Sequence, residues 1–298
     1  MSQMEALFGE LRSMAQRYHT LPYWELRKLL EQALAIDEDR YRAEWIPYLV
    51  DVDKFPYCFG ETLDEIAHIA NLFPEGPPLI LSIEDTRFDY GTMLDAPHLK
   101  RLTGINVSYK CNLTDTRFAR MMESPYLENV VRLDVGGNKL SDGAMEALAG
   151  AKSIQRLEYL RLYHNEINAR GAQALAESPL MSHLTELDIS VNNIQDVGIA
   201  AIGASPHLGN LRKLDAGSNK IKRKGAEDFA KTTTLVNLTN LSLGQNNIGN
   251  YGAQALADCP ALSNLTTLSL GRARVNDKGL AFIRSSPYLT KLENLYNH

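Results

Sequence analysis

The stretch LEYLRLYHNEI, residues 157–167, decides the fold of this chain because its pattern recurs at a fixed interval. Residues 238–248, LTNLSLGQNNI, have the same spacing, L-x-x-L-x-L-x-x-N-x-I/L. Such self-similarity predicts a stack of similar units, each burying its apolar side against its neighbours. The 27-residue period is carried by the asparagines Asn138, Asn165, Asn192, Asn219 and Asn246, and by the leucines Leu157, Leu184, Leu211, Leu238, Leu265 and Leu292.

Each unit has the pattern of a strand followed by a helix. Leu160 and Leu162 alternate with their neighbours, which is the period of a half-buried strand. The repeated Asn stands where the strand turns away, and its amide can bond to the backbone of adjacent coils. A residue four places later is predicted as a helix N-cap, and a proline then marks where the helix must stop. The predicted caps are Asp115, Asp142, Asp196, Asn250 and Asp277.

With this repeat, and with Gly-Ala-x-Ala-Leu-Ala in the second half of the unit, the chain resembles the leucine-rich-repeat family. The unit length is most similar to that of the ribonuclease-inhibitor-like class, over roughly residues 78–298. The resemblance implies an α/β solenoid with parallel strands on the concave side and helices on the convex side. We expect an N-terminal helical cap or companion domain over 1–75 and a solenoid of about eight units over 76–298. Cys111 takes the Asn place only after one extra residue.

The section before the repeats has helical patterns of its own. Residues 4–18 and 26–34 carry apolar side chains at i, i+3 and i+4, which predicts two amphipathic helices. A capping box opens a third predicted helix over 62–72. The aromatic residues of this section, Trp24 and Trp45 among them, form either the core of a helical cap or an aromatic binding surface.

Composition narrows the classes of function. A net charge of −5 argues against a general nucleic-acid binder. The three cysteines lie far apart without a C-x-x-C pair, so neither a disulfide framework nor a thiolate metal site is suggested. No secretory signal opens the chain and no apolar stretch is long enough to span a bilayer, so we expect a cytoplasmic protein without membrane contact. No metal, cofactor or catalytic motif occurs, so we expect no cofactor.

One unit stands out on the predicted concave face. The third, fifth and seventh places of the repeat should point into that face, and nine of them hold the small residues Gly or Ser. In one unit they hold Tyr159, Arg161 and Tyr163, with His164 at the rim. Tyr and Arg are frequent interface anchors, so we predict a partner-binding patch. The alternative is a cross-strand charge ladder without a ligand, because the fifth-place column also holds the carboxylates Asp134, Asp188 and Asp215.

A group of basic residues surrounds the fifth Asn of the column. It could receive an acidic partner or a phosphate group, and the alternative is a solvated loop. Its members are Arg212, Lys213, Lys220, Lys222, Arg223 and Lys224.

These features favour a non-catalytic module that binds a protein, with no nucleic acid as partner. An alternative is a regulator of an enzyme, such as a GTPase-activating protein in which Arg161 stabilises a transferring phosphate. Another is a structural assembly protein. The C-terminal segment, Leu292 to His298, has the pattern of a strand with nothing after it to cover the last coil. We therefore expect possible self-association there, unless Tyr296 and its neighbours fold back as a cap.

Overall fold

The computed structural model describes residues 3–17, 23–37, 58–60, 67, 79–82, 90–109 and 113–297. Its strands form one sheet in chain order, and every neighbouring pair is parallel. This confirms the predicted α/β solenoid. The strands are β1 (Cys58–Gly60), β2 (Leu79–Ser82), β3 (Leu102–Asn106), β4 (Arg132–Asp134), β5 (Tyr159–Arg161), β6 (Glu186–Asp188), β7 (Lys213–Asp215), β8 (Asn240–Ser242), β9 (Thr267–Ser269) and β10 (Asn294–Tyr296).

Helices connect the strands from β3 onward, and helices of adjacent coils contact each other. The middle residue of each strand from β4 to β9, such as Leu160 or Leu187, is buried on the helix side of the sheet. Parallel strands need such crossovers, which is why strand and helix alternate. The helices are α1 (Gln3–Arg17), α2 (Tyr23–Ile36), α3 (Asp115–Met122), α4 (Asp142–Ala149), α5 (Ala169–Glu177), α6 (Gln195–Ala204), α7 (Arg223–Phe229), α8 (Gly249–Ala257) and α9 (Asp277–Arg284).

The N-terminal helices are amphipathic, as predicted. Met4, Leu7 and Leu11 are buried on α1, which packs against α2. The predicted helix over 62–72 and Trp45 lie outside the described residues, apart from residue 67, and so does the side chain of Trp24. Strand β1 pairs with β2, so the sheet begins ahead of the predicted boundary between 75 and 76. Nine strands fall within 76–298, one more than the expected eight or so.

The asparagine column joins each coil to the one before it. The Nδ2 of Asn192 donates to the carbonyls of Leu162 and Ile189, both at 3.0 Å, and its Oδ1 accepts from the Ile167 N–H at 3.1 Å. Asn165 makes the same set of bonds one coil earlier. The predicted role of the column is therefore confirmed. Cys111 lies outside the described residues, and the buried Ala273 cannot make these bonds.

The aspartate column does not provide the N-caps of its own helices, so that prediction is wrong. Three of these helices begin at the Asp itself and are capped by the residue before it, such as Ser141 before α4, whereas α6 and α8 begin one residue earlier, at Gln195 and Gly249. The Asp side chain bonds to the next coil instead: Oδ1 of Asp142 accepts from the N–H of Asn168 at 2.8 Å. Asp196 accepts from the N–H of Lys222 in the same way, at 2.6 Å. The Asp lies too far along the chain to cap the first backbone N–H groups of its own helix. Its side chain reaches the N–H groups at the start of the helix in the adjacent coil, which have no partner within that helix.

A second bonded column, of hydroxyls, was missed by the sequence reasoning. Ser178 Oγ donates to the Ala149 carbonyl of the preceding coil at 3.1 Å and accepts from the Leu180 N–H at 3.3 Å. The signal was present, because a Ser-Pro dipeptide recurs on the 27-residue register. The hydroxyl members are Ser124, Ser178, Ser205, Thr232 and Ser286, and Ala151 and Cys259 occupy the same place in the two remaining coils.

Candidate binding surface on the sheet face

The side of the sheet that the helices do not cover is formed by the third, fifth and seventh places of each unit, and we call it the sheet face. Strand register places Arg161 between Asp134 on β4 and Asp188 on β6. The Arg161 guanidinium lies 3.9 Å from Asp134 Oδ2 and 3.3 Å from Glu186 Oε1. Lys213 contacts the other oxygen of Glu186 at 3.4 Å. The predicted charge ladder therefore exists, and it includes Glu186, which the sequence reasoning did not single out.

Burial and charge together shift the ionisation of this ladder. Partial burial opposes the charge of Arg161, but the hydrogen bond to Glu186 and the nearby carboxylates outweigh it and raise the pKa of Arg161. Burial raises the pKa of Asp134, although the Gly136 N–H and Arg161 oppose the shift. The guanidinium thus lies as a cation between the carboxylates of Asp134 and Glu186.

Tyr159 is ordered by a cation on the neighbouring strand. The guanidinium of Arg132 lies over the Tyr159 ring, 3.7 Å from its centroid. Both residues occupy the third place of their units and face each other across β4 and β5. A cation–π contact of this kind restricts both side chains, so Arg132 belongs to the patch although the sequence reasoning omitted it.

Tyr163 packs over the backbone of the preceding coil. A Cβ on Gly136 would lie 2.2 Å from the Tyr163 ring, so only glycine leaves room for it. The ring is 5.5 Å, centroid to centroid, from that of Tyr109, which covers Gly137 in the same manner. Burial, with the charge of Asp134 and the contact with Tyr109 added, raises the pKa of Tyr163 to about 12. The hydroxyl therefore stays protonated at neutral pH.

His164 lies at the rim, exposed and with a left-handed backbone, φ 52°. The eighth place has this conformation in every coil from Tyr109 onward, so it belongs to the repeat and is not special to His164. Gly137 supplies it without steric cost, and the other members tolerate it. The column is Tyr109, Gly137, His164, Val191, Ser218, Gln245 and Arg272.

The two remaining predicted carboxylates, on β6 and β7, follow Arg161 in the same column of the sheet face. Asp188 Oδ1 accepts from the Ser190 N–H at 3.0 Å, and Asp215 Oδ1 from the Gly217 N–H at 2.8 Å. Neither forms a salt bridge with another described residue. Beyond them lies a depression of about 480 Å³ lined mostly by Ser and Gly, with Arg272 at its margin.

The predicted basic cluster is divided in two. Arg212 and Lys213 lie at the start of β7, whereas Lys220 to Lys224 follow its end, because the extended strand separates them. Of the second group, Arg223 and Lys224 pair with Glu227 and Asp228 on α7, both at 2.6 Å.

Among the described residues, two kinds of feature are not found: a membrane-spanning helix and a cluster of metal ligands. None of their helices is long and apolar enough to cross a membrane. None of their His, Cys, Asp and Glu side chains form a group of three that could hold a metal ion.

Comparison with known proteins agrees with the repeat. The leucine-rich-repeat family profile matches four segments, residues 126–149, 155–176, 181–203 and 234–257. A search of curated proteins finds no relative. Among solved structures, an internalin (inlF) from Listeria monocytogenes is similar, with 20% identity and a TM-score of 0.43 over 83% of this chain and 75% of that one. The repeat geometry and the profile matches, rather than this likeness, identify the fold.

Proposed function

We propose that this leucine-rich-repeat solenoid is a non-catalytic module that binds another protein through its sheet face. The observation that carries the proposal is that one coil holds Tyr or Arg at all three of its sheet-face places, whereas Gly or Ser fills at least one of these places in each of the other coils from β3 to β9. Tyr159, Arg161 and Tyr163 follow one another on β5 and just beyond it, with His164 at the rim. Tyr and Arg supply most of the binding energy in many interfaces.

The patch is ordered in advance, which supports a binding role. Arg132 restricts Tyr159, Glu186 and Asp134 hold Arg161, and Tyr163 is seated on Gly136. Side chains that are already ordered lose less conformational freedom when a partner binds. The flanking carboxylates Asp134, Asp188 and Asp215 would then select a partner that presents cations around its central contact.

The same contacts weigh against the GTPase-activating alternative. An arginine that stabilises a transferring phosphate must leave its own carboxylates to reach the substrate. Arg161 lies between Asp134 and Glu186, and both raise its pKa. Binding a protein partner requires no such movement, because the Arg161 guanidinium is already exposed on the sheet face.

Three finer statements belong to the same proposal. The repeats are of the ribonuclease-inhibitor-like class, which is supported by helices of seven to ten residues in 27-residue units. The chain works in the reducing cytoplasm, which is supported by the unpaired, buried Cys259. Residues 1–75 act as a cap or companion domain, which is supported by the contact of α2 with β1.

A second contact is proposed at the open edge of β10. This strand pairs with β9, and no described residue pairs with its other side. Tyr296 on β10 is 55% exposed. An open strand edge invites pairing, and two identical edges related by a two-fold axis would close the contact.

The sheet-face proposal is tested with a partner captured by photo-crosslinking from position 190, on the same face one coil after the patch, and then purified. The triple variant Tyr159→Ala, Arg161→Ala, Tyr163→Ala should weaken its binding by at least about 30-fold, the loss of one hot spot of about 2 kcal/mol. The matched control is Asn240→Ala with Ser242→Ala, at the same third and fifth places of β8. An unchanged affinity in the triple variant, or an equal loss in the control, would reject the patch.

A further inference from the structure

The rim of the last coils carries cations that the sheet-face proposal does not use. Lys220 and Lys222 follow the end of β7, and Arg272, Arg274 and Lys278 follow the end of β9 two coils later. All five side chains are exposed, and none forms a salt bridge with another described residue. We call these five residues the basic rim.

The backbone holds two of these cations in an unusual conformation. Lys220 has φ 58° and Arg274 has φ 59°, and both occupy the tenth place of their units. The other described tenth-place residues, Lys139, Glu166, Asn193 and Asn247, are not left-handed. A left-handed backbone disfavours long side chains and is commonly taken by Gly or Asn. Strained positions of this kind concentrate at binding sites.

An aromatic ring lies among these cations. Tyr251, at the start of α8, is 52% exposed. The guanidinium of Arg223 lies 4.5 Å from the centre of its ring, and the Lys278 ammonium 5.7 Å. Three successive helices, α7, α8 and α9, begin here, and the positive ends of their helix dipoles add positive potential. Among the described residues, Asp196, which accepts from the Lys222 N–H, and Asp277 lie at these helix starts, and Glu227 on α7 pairs with Arg223 beside the ring.

From this arrangement we infer that the basic rim binds an acidic segment of a protein. Lys220 and Arg274 are two coils apart, about 10 Å at a strand spacing of about 4.8 Å. Alternate side chains of an extended peptide lie on one face about 7 Å apart, and the long Lys and Arg side chains can cover the remaining distance, so alternate Asp or Glu side chains can meet both cations. Tyr251 offers an apolar surface beside them.

A protein segment fits better than a nucleic acid. The rim adjoins the sheet face, where Arg272 borders the same depression as Asp215. A continuous phosphate backbone carries one charge every few ångströms and would run past the rim onto carboxylates such as Asp215 and Asp188. The net charge of −5 also opposes a long polyanion but not a short one.

The test uses the full chain and a fluorescent octapeptide of alternating Glu and Ser, followed by anisotropy at low salt. Lys220→Gln with Arg274→Gln should weaken binding roughly tenfold, because two charge contacts are lost. The control, Lys139→Gln with Lys152→Gln, removes two exposed cations from earlier coils and should change affinity less than about twofold. The same peptide with Gln in place of Glu should not bind.

Three results would overturn the inference. The first is that the Glu peptide does not bind at low salt. The second is that the rim and control variants lose equal amounts of peptide affinity. The third is that an eight-nucleotide single-stranded DNA binds more tightly than the Glu peptide. A further variant separates binding from folding. Lys220→Gly removes the cation but suits the left-handed backbone, so its melting temperature should be unchanged or higher while peptide affinity falls. Retained affinity in this variant would exclude Lys220 from the site and also count against the inference.

Discussion

The Asp142 carboxylate lies where a side chain on Gly171 would have to be. Its Oδ1 is 2.7 Å from the position of a Cβ on Gly171, and it accepts a hydrogen bond from the Gly171 N–H at 2.9 Å. The two residues belong to successive coils, at the first turns of α4 and α5. The spacing of Asp and Gly that recurs in this repeat thus reflects one kind of contact between successive coils. Gly225 receives Asp196 in the same manner.

Gly171→Ala should therefore lower the free energy of unfolding by about 1–3 kcal/mol, the usual cost of overpacking a filled site. The added methyl group would also meet Ile167 Cγ2 at 2.8 Å. Chemical denaturation measures the change. Gly9→Ala on α1 is the control, because nothing lies within 4 Å of its Cβ position, and it should be neutral or slightly stabilising. A silent Gly171→Ala would mean that the Asp142 contact does not form.

Asn192→Ala should destabilise the chain by about 1–3 kcal/mol, because three or more buried backbone groups lose a partner. Its neighbour Asn193 does not serve as a control, since that side chain is half-buried and donates to Asn168 Oδ1 at 2.7 Å. Asn247, which is exposed and has no side-chain hydrogen bond among the described residues, is the better comparison. Equal shifts in melting temperature for Asn192→Ala and Asn247→Ala would contradict the assigned role.

Asp215→Asn should raise the melting temperature at neutral pH. Burial, with the charge of Asp188 added, raises the pKa of Asp215 above 3.8, although the Gly217 N–H and Ser242 oppose the shift. The folded state thus keeps this proton to a higher pH than the unfolded state, so stability falls as pH rises through that interval. Asparagine removes the charge and can still accept the Gly217 bond.

The pH dependence makes the Asp215 prediction specific. At about pH 3 the wild-type carboxyl is protonated in both states, so the variant should lose its advantage. Asp228→Asn is the control of opposite sign, because hydrogen bonds from Lys224 and Lys231 lower the pKa of Asp228. That variant should be neutral or less stable at pH 7. A melting temperature for Asp215→Asn at or below wild type at pH 7 would refute the argument.

Tyr296→Lys should abolish any dimer formed through β10, because a charged side chain on an edge strand opposes pairing. Tyr296 is more than half exposed, so the fold should tolerate the change. Light scattering at high protein concentration measures the mass. Tyr288→Lys, an exposed tyrosine before the strand, should leave the mass unchanged. A wild-type monomer under these conditions, or a dimer that survives Tyr296→Lys, would exclude this edge as the contact.

The sequence by itself determined the repeat, and with it the alternation of strand and helix and the register of the sheet. The reason is that each coil buries its leucines only against its neighbours, so Leu160, Leu187 and Leu214 must stack at equal intervals. The buried Asn192 followed from the same logic, since a bend at a fixed place leaves fixed backbone groups to satisfy. In a solenoid, the residues that set the local structure of a coil also make its packing contacts with the next coil. A repeated sequence pattern therefore predicts both.

The tertiary structure alone decided which groups meet between coils. The sequence pattern could not distinguish an Asp that caps its own helix from one that, like Asp142, bonds 26 residues ahead. It grouped Lys213 with Lys220, which the extended strand β7 separates, and it missed the contact of Arg132 with Tyr159. Side-chain direction depends on backbone dihedrals and on the neighbouring coil, so a linear pattern leaves it open.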